Sequence, residues 1–170
     1  MNNTKFSRST EHHLHIERVA LEIAHLGGSF TTISDLLGTC PPSAKLELKR
    51  LCEGRKKTRI GKNVSFLHRD PMSFRVANKL WLYYATLRQD PLIQKRLNVD
   101  LMLSAFNFAM MDFDFDICDH VDFNRFNQLL TRVKDGTVMS VECNCGSSYI
   151  IRCDRVPTSC PDCLDRANSD

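Results

Sequence analysis

Residues 143–163 read CNCGSSYIIRCDRVPTSCPDC, and five cysteines fall within these 21 positions. A protein-bound zinc ion takes about four ligands in a tetrahedron, and closely spaced cysteines suit it because one turn presents two thiolates to one ion. CPDC (160–163) is such a C-x2-C pair. SSYIIR (147–152) is rich in β-branched and aromatic residues and predicts a strand. The segment therefore predicts a zinc-ribbon-like module at residues 141–170 with one structural Zn2+.

The predicted ligands are Cys143, Cys145, Cys160 and Cys163. The first pair is C-x-C, one residue shorter than usual, so Cys153 is a reserve ligand that would replace Cys143 if the short pair cannot bind one ion. Reactive or redox thiols are the alternative, but a cysteine cluster in a reducing compartment is more often a metal site. The chain has no H-E-x-x-H motif and no H-x-E followed by P-C-x-x-C, so no enzyme is predicted.

Composition sets the class of protein. The chain has 170 residues, of which 42% are hydrophobic and 25% charged, as in an ordinary globular protein. No apolar run reaches the 18 or so residues of a membrane span, and the first residues lack a signal-peptide core. We expect a cytoplasmic protein without a membrane partner. Residues 1–90 carry 15 Lys and Arg against 8 Asp and Glu, and this basic bias suggests an anionic partner.

The first 54 residues have the pattern of a helix-turn-helix. Apolar residues at helical spacing predict a helix over 11–26, ended by Gly27 and Gly28. Thr32 and Asp35 predict the start of a short second helix, and PPSAKLELKRLCEG (41–54) predicts a third with a proline in its first turn. Three helices packed for stability alone would give the same pattern.

The third helix adjoins a basic run. Between residues 45 and 62 the chain has eight basic and two acidic residues. A charge run is usually a solvated surface, but beside a candidate recognition helix it would neutralise phosphates. The predicted DNA contacts are Lys45, Lys49, Arg50, Arg55, Lys56, Lys57, Arg59 and Lys62.

Three Asp residues are predicted to begin later helices. Asp70 and Asp90 each precede a proline, and Asp122 precedes an apolar periodic segment that ends near Gly136. LMLSAFNFAMM (101–111) is apolar nearly all round, which predicts burial in the domain or against a partner. DFDFDICDHVDF (112–123) begins like a calcium loop but lacks its glycine and its final glutamate, so calcium is not predicted.

The order of these motifs resembles the FlhC family, the DNA-binding and zinc-containing subunit of the bacterial flagellar master activator. The resemblance runs from about residue 14 to residue 163 through LGGSFTTISDLLG, LELKRLCEG, ANKLWLYYATL and CGSSYII…CPDC. It implies a mainly α fold, a four-cysteine zinc site, an FlhD-like helical partner, double-stranded promoter DNA and RNA polymerase.

The chain departs from that family at two places. The first family cysteine falls on Glu142, with Cys143 the nearest substitute, and only seven residues follow Cys163. Relatives of the family also activate conjugative-transfer genes, so flagellar and transfer operons both remain candidate targets.

The prediction is thus a mainly α protein with a helical DNA-binding and partner-binding domain at 1–140, containing a helix-turn-helix-like segment, and a small four-cysteine zinc module at 141–170. Its function would be that of a transcriptional activator subunit. The alternative is a zinc-stabilised protein–protein interaction module that does not bind DNA directly.

Overall fold

The computed structural model describes residues 3–38, 41–53, 64–88, 97–155 and 159–167. In this part of the chain the fold is mainly helical, with a single two-stranded hairpin near the C-terminus. The predicted fold class is therefore confirmed. None of the helices in these ranges is long and apolar enough to cross a membrane.

The chain divides into two compact units, residues 1–59 and 60–170. The sequence predicted a boundary after residue 140 instead, to separate the cysteine module from the helices. That boundary stays a prediction. In the structure the cysteine segment belongs to the same compact unit as the helices from residue 71 onward.

The described residues of the first unit form three helices, α1 (Asn3–His25), α2 (Phe30–Leu37) and α3 (Lys45–Glu53). Each of α2 and α3 packs against α1. Residues 38–44 join α2 to α3, a connection longer than the three or four residues of a typical helix-turn-helix. The buried apolar side chains at the centre of this unit are Val19, Ala20, Ile23, Ala24, Leu26, Ile33, Ala44 and Leu48.

Helix α1 ends in two glycines for separate physical reasons. Gly27 has φ +89° and donates to the Ala24 carbonyl, while the Gly28 N–H donates to the Ile23 carbonyl at 2.8 Å. These bonds form a Schellman motif. A Cβ on Gly28 would lie 2.7 Å from the Ile23 carbonyl oxygen, so the close return of the chain requires glycine there.

The start of α2 differs from the prediction. The sequence placed the helix N-terminus at Thr32, but the N-cap is Ser29, whose Oγ accepts from the Thr32 N–H at 3.2 Å. Ser29 is the better cap because its backbone is extended (φ −82°, ψ 159°), so the helix begins at Phe30. The helix ends at Gly38, which has a left-handed φ of +73°.

The second unit is built around α4 (Pro71–Leu87). It packs against α5 (Val99–Asp112), α6 (Phe123–Lys134), the hairpin and the last helix. The predicted caps Asp70 and Asp122 accept from the Ser73 and Arg125 N–H groups. The predicted cap Asp90 lies outside the described residues.

Aromatic rings fill the space between α4, α5 and α6. The ring centroid of Phe106 lies 5.5 Å from that of Phe123 and 5.4 Å from that of Phe126, and Tyr84 meets Phe126 edge-on. One face of α5 is buried in this cluster, whereas Phe108 and Met111 on its other face are exposed. Helix α5 is thus buried within the unit on one side only.

The hairpin consists of β1 (Val138–Glu142) and β2 (Ser148–Arg152), paired antiparallel with Val138 opposite Arg152. The predicted strand corresponds to β2, and β1 was missed. A seven-residue helix, α7 (Pro161–Ala167), includes the end of the second cysteine pair and was also missed.

Candidate metal centre

The sulfurs of Cys143, Cys145, Cys160 and Cys163 all lie within 4.8 Å of one another. Cys145 Sγ is 3.5 Å from Cys160 Sγ, and Cys143 Sγ is 3.9 Å from Cys163 Sγ. The four predicted ligands are therefore brought together. The reserve residue, Cys153, is exposed and is not one of the group.

The turn after β1 makes the short C-x-C pair possible. The Cys143 N–H donates to the Ser147 carbonyl at 2.9 Å, and the Gly146 N–H donates to the Cys143 carbonyl at 2.8 Å. Gly146 has φ +86°, which a residue with a Cβ adopts at a cost. This reversal places both sulfurs of the pair on the side of the hairpin that meets the second pair.

The second pair lies at the start of α7. The N–H groups of Cys163 and Leu164 both donate to the Cys160 carbonyl at 3.1 Å. Pro161 occupies the first helical position, where its missing N–H costs nothing. The Cys160 N–H donates to Cys143 Sγ at 3.4 Å, so the two pairs are joined directly.

The spacing of the sulfurs fits one tetrahedral ion better than two disulfides. Zinc–sulfur bonds of about 2.3 Å in a tetrahedron place the sulfurs about 3.8 Å apart, and two of the sulfur pairs here are 3.5 and 3.9 Å apart. A disulfide requires about 2.05 Å. Four thiols and no other ligand type in the group form a donor set for a thiophilic metal.

Hydrogen bonds and burial divide the four thiols into two with a lowered pKa and two with a raised pKa. N–H groups of Cys145 and Cys160 lower the pKa of Cys143, and the hydroxyl and N–H of Ser147 lower the pKa of Cys145 to about 6. Burial raises the pKa of Cys160. Hydrogen bonding with the thiols of Cys145 and Cys160 raises the pKa of Cys163 to about 12. A bound metal would displace the protons that remain on the second pair.

The sequence did not predict the groups that surround the sulfurs. Ser147 supports Cys145, and Arg166 Nη2 lies 3.9 Å from Cys163 Sγ. In the sequence, Ser147 is marked only by its position two residues after Cys145, and Arg166 only by its position one helical turn after Cys163. Glu142, where the resemblance places a cysteine, is exposed and is not part of the group.

The acidic segment is used for structure. The Asp112 carboxylate accepts from Tyr83 Oη at 2.6 Å and from Lys79 at 3.1 Å, and Asp116 accepts from the Cys118 N–H. Asp122 caps α6. These carboxylates are directed at separate protein partners.

Three of the predicted DNA contacts lie on the described part of α3, where Lys45, Lys49 and Arg50 are exposed. Arg50 makes a bidentate contact with Glu47 at 2.6 and 3.0 Å, and Lys49 lies 3.7 Å from Glu53. The other five, Arg55, Lys56, Lys57, Arg59 and Lys62, lie outside the described residues.

Comparison of the sequence with models of protein families found no matching family, and comparison with curated proteins found no matching protein.

Proposed function

We propose that the four cysteines hold one structural zinc ion and that the chain is a DNA-binding subunit of a transcriptional activator of the FlhC kind. The observation that carries the proposal is the group of four sulfurs within 4.8 Å. It supports a closed site at three of the positions where the resemblance expects a ligand, with Cys143 in place of the fourth. Four thiolates fill the tetrahedron, so the proposed zinc has no open position for a substrate.

Zinc is favoured over an iron–sulfur cluster by chemistry. A single ion at the centre of four sulfurs about 3.8 Å apart suits tetrahedral Zn2+, whereas an iron–sulfur cluster must fit two or more irons between its cysteines. Such a site would stabilise a segment that has too few residues for a core of its own.

The DNA-binding part of the proposal rests on the first unit. Three packed helices, with Lys45, Lys49 and Arg50 exposed on the third, are compatible with a recognition helix beside phosphates. The ion pairs on α3 are exposed and thus weak, so both cations can turn to phosphates at small cost. The partners in this proposal are an FlhD-like helical protein, promoter DNA and RNA polymerase.

The test is the salt dependence of DNA binding, measured by fluorescence anisotropy on the full chain with its FlhD-like partner. Promoter fragments of flagellar and conjugative-transfer operons are compared with a scrambled duplex. We expect Lys49→Ala and Arg50→Ala each to weaken binding and to reduce the slope of log K against log salt by about one. Lys134→Ala, at an exposed lysine of the other unit, is the control and leaves the slope unchanged.

A second candidate function is a zinc-stabilised module that binds protein only. It is favoured by the exposed apolar side chains of Leu82, Phe108 and Met111, of which Met111 is 81% exposed. Aromatic and methionine side chains are enriched at protein interfaces. A stable complex with the partner that shows no affinity for any duplex at physiological salt would favour this function and reject the first.

A further inference from the structure

Strand β2 is hydrogen-bonded on both of its edges. One edge pairs with β1, and on the other the Ile150 N–H donates to Asn78 Oδ1 at 2.6 Å. The Asn78 amide in turn donates to the Phe74 carbonyl at 2.9 Å and lies 3.5 Å from the Ile150 carbonyl. Asn78 is in the middle of α4 and only 6% exposed. A buried side chain of the helical core thus takes the place of a third strand.

Further contacts join the same two parts. Phe74 of α4 meets Tyr149 of β2 edge-on, with ring centroids 6.3 Å apart. Arg75 Nη1 lies 3.0 Å from an Asp165 carboxylate oxygen on α7, the helix that contains Cys163. The three central residues of β2, 149–151, are each at most 2% exposed. Both cysteine pairs are therefore attached to α4, one through β2 and one through α7.

Two physical facts couple the stability of the cysteine segment to the stability of α4. An isolated two-stranded hairpin is at best marginally stable in water, so the cysteine segment without metal depends on α4 for its order. Conversely, when β2 separates from α4, Asn78 loses the partner of its buried oxygen and apolar surface of α4 meets water. Neither part can be lost without a cost to the other.

From this geometry we infer that metal loading at the four cysteines controls the stability of the whole second unit, residues 60–170, and that Asn78 is the positioning residue through which it does so. The inference rests on the proposed metal site. The zinc site is then a conformational control of α4, α5 and α6 rather than a local clamp on residues 141–163. Loss of the ion would loosen α5, the helix on which Phe108 and Met111 are exposed.

The experiment is hydrogen exchange of the full chain, followed by peptide mass spectrometry, with Zn2+ and with the zinc removed by a chelator. When free zinc exceeds its Kd by about 100-fold, linkage reduces the open population of any coupled segment by about 100-fold. We therefore expect hydrogen exchange to slow by about this factor in peptides from α4, α5 and α6 as well as in β1 and β2. Slowing confined to 138–163 would overturn the inference.

The variant Asn78→Ala tests whether the effect of zinc on α4–α6 depends on the Asn78 side chain. We expect zinc still to slow exchange in β1 and β2, while its effect on α4–α6 falls by about tenfold or more, because the lost hydrogen bonds carried the coupling. Thr86→Ala, an exposed substitution on the same helix, is the matched control and keeps the wild-type pattern. If Asn78→Ala retains the full zinc effect on α4–α6, Asn78 is not the route and the inference fails.

A second variant and a second readout keep the test decisive. Asn78→Asp keeps an acceptor for the Ile150 N–H and loses the amide donor, so we expect an intermediate effect if Asn78→Ala does not fold. Native mass spectrometry of each sample reports bound zinc. A chain that binds no zinc contradicts the proposed function and the inference together, whereas bound zinc without protection of α4–α6 contradicts the inference alone.

Discussion

Cys145 and Cys153 are both exposed thiols of the same short segment, yet only Cys145 belongs to the group of four. Spacing alone left Cys153 as a replacement for Cys143, because a C-x-C pair is unusual for zinc. The Gly146 turn decides between them by bringing the sulfurs of the short pair to the second pair. A turn of this kind depends on φ angles that a ligand-spacing rule does not contain.

That difference gives a prediction at the scale of the residue. We expect Cys145→Ser to lose most of its bound zinc, because a hydroxyl is a poor replacement for a thiolate. Cys153→Ser is the matched control and is expected to keep one ion per chain, measured by native mass spectrometry. The reverse pattern would show that Cys153, and not Cys145, is a ligand.

The N-terminus of α4 has a titratable cap. Burial of Asp70 would raise its pKa, but hydrogen bonds from the Ser73 N–H, the Ser73 hydroxyl and Arg69 outweigh burial and lower the pKa to about 2. An unfolded Asp titrates near a pKa of about 3.9. Because the folded pKa is depressed, this stability is present above pH of about 4 and is lost as the pH falls toward about 2.

At the scale of the element, two substitutions of Asp70 distinguish the effect of its capping hydrogen bond from the effect of its charge. We expect Asp70→Ala to lower the free energy of unfolding by about 1 kcal/mol at neutral pH, because the Ser73 N–H loses its acceptor. Asp70→Asn keeps an acceptor and should cost less, while its stability changes less between pH of about 4 and about 2. Urea denaturation across this range measures both, and equal losses for the two variants would contradict the capping role.

Gly28, which precedes α2, and Gly38, which follows it, provide a second test of element boundaries. Gly28→Ala would place a Cβ 2.7 Å from the Ile23 carbonyl oxygen, whereas Gly38→Ala has open space and only a left-handed φ of +73°. We expect Gly38→Ala to cost about 1 kcal/mol and Gly28→Ala to cost more. Urea denaturation followed by circular dichroism compares them, and an equal or smaller loss for Gly28→Ala would contradict the close approach.

Elements with strong local signals could be predicted from the sequence, and those held by distant contacts could not. Helices α4 and α6 have an Asp cap and an apolar stripe, and both were found. Strand β1 has no such signal, since VMSVE becomes a strand by pairing with β2. Helix α7 is short and overlaps a cysteine pair, and the spacing of metal ligands gives no signal for a helix.

At the scale of the whole molecule, the contacts that join the cysteine segment to α4 could not be predicted. The predicted boundary after residue 140 stays a prediction, and in the structure the cysteines belong to the compact unit of residues 60–170. The contacts of Asn78, Phe74 and Arg75 with the hairpin and α7 join residues far apart in the chain, 72 positions in the case of Asn78 and Ile150. No local pattern in the sequence encodes such pairings.

The central claim is that one zinc ion is bound by four cysteine sulfurs, and zinc-edge X-ray absorption of the purified full chain tests it most directly. The account predicts a single shell of four sulfur atoms at about 2.3 Å, which Cys145→Ser would reduce and Cys153→Ser would leave unchanged. A shell that contains nitrogen or oxygen atoms at about 2.0 Å in place of sulfur, or a protein that purifies without zinc and does not take it up, would contradict it.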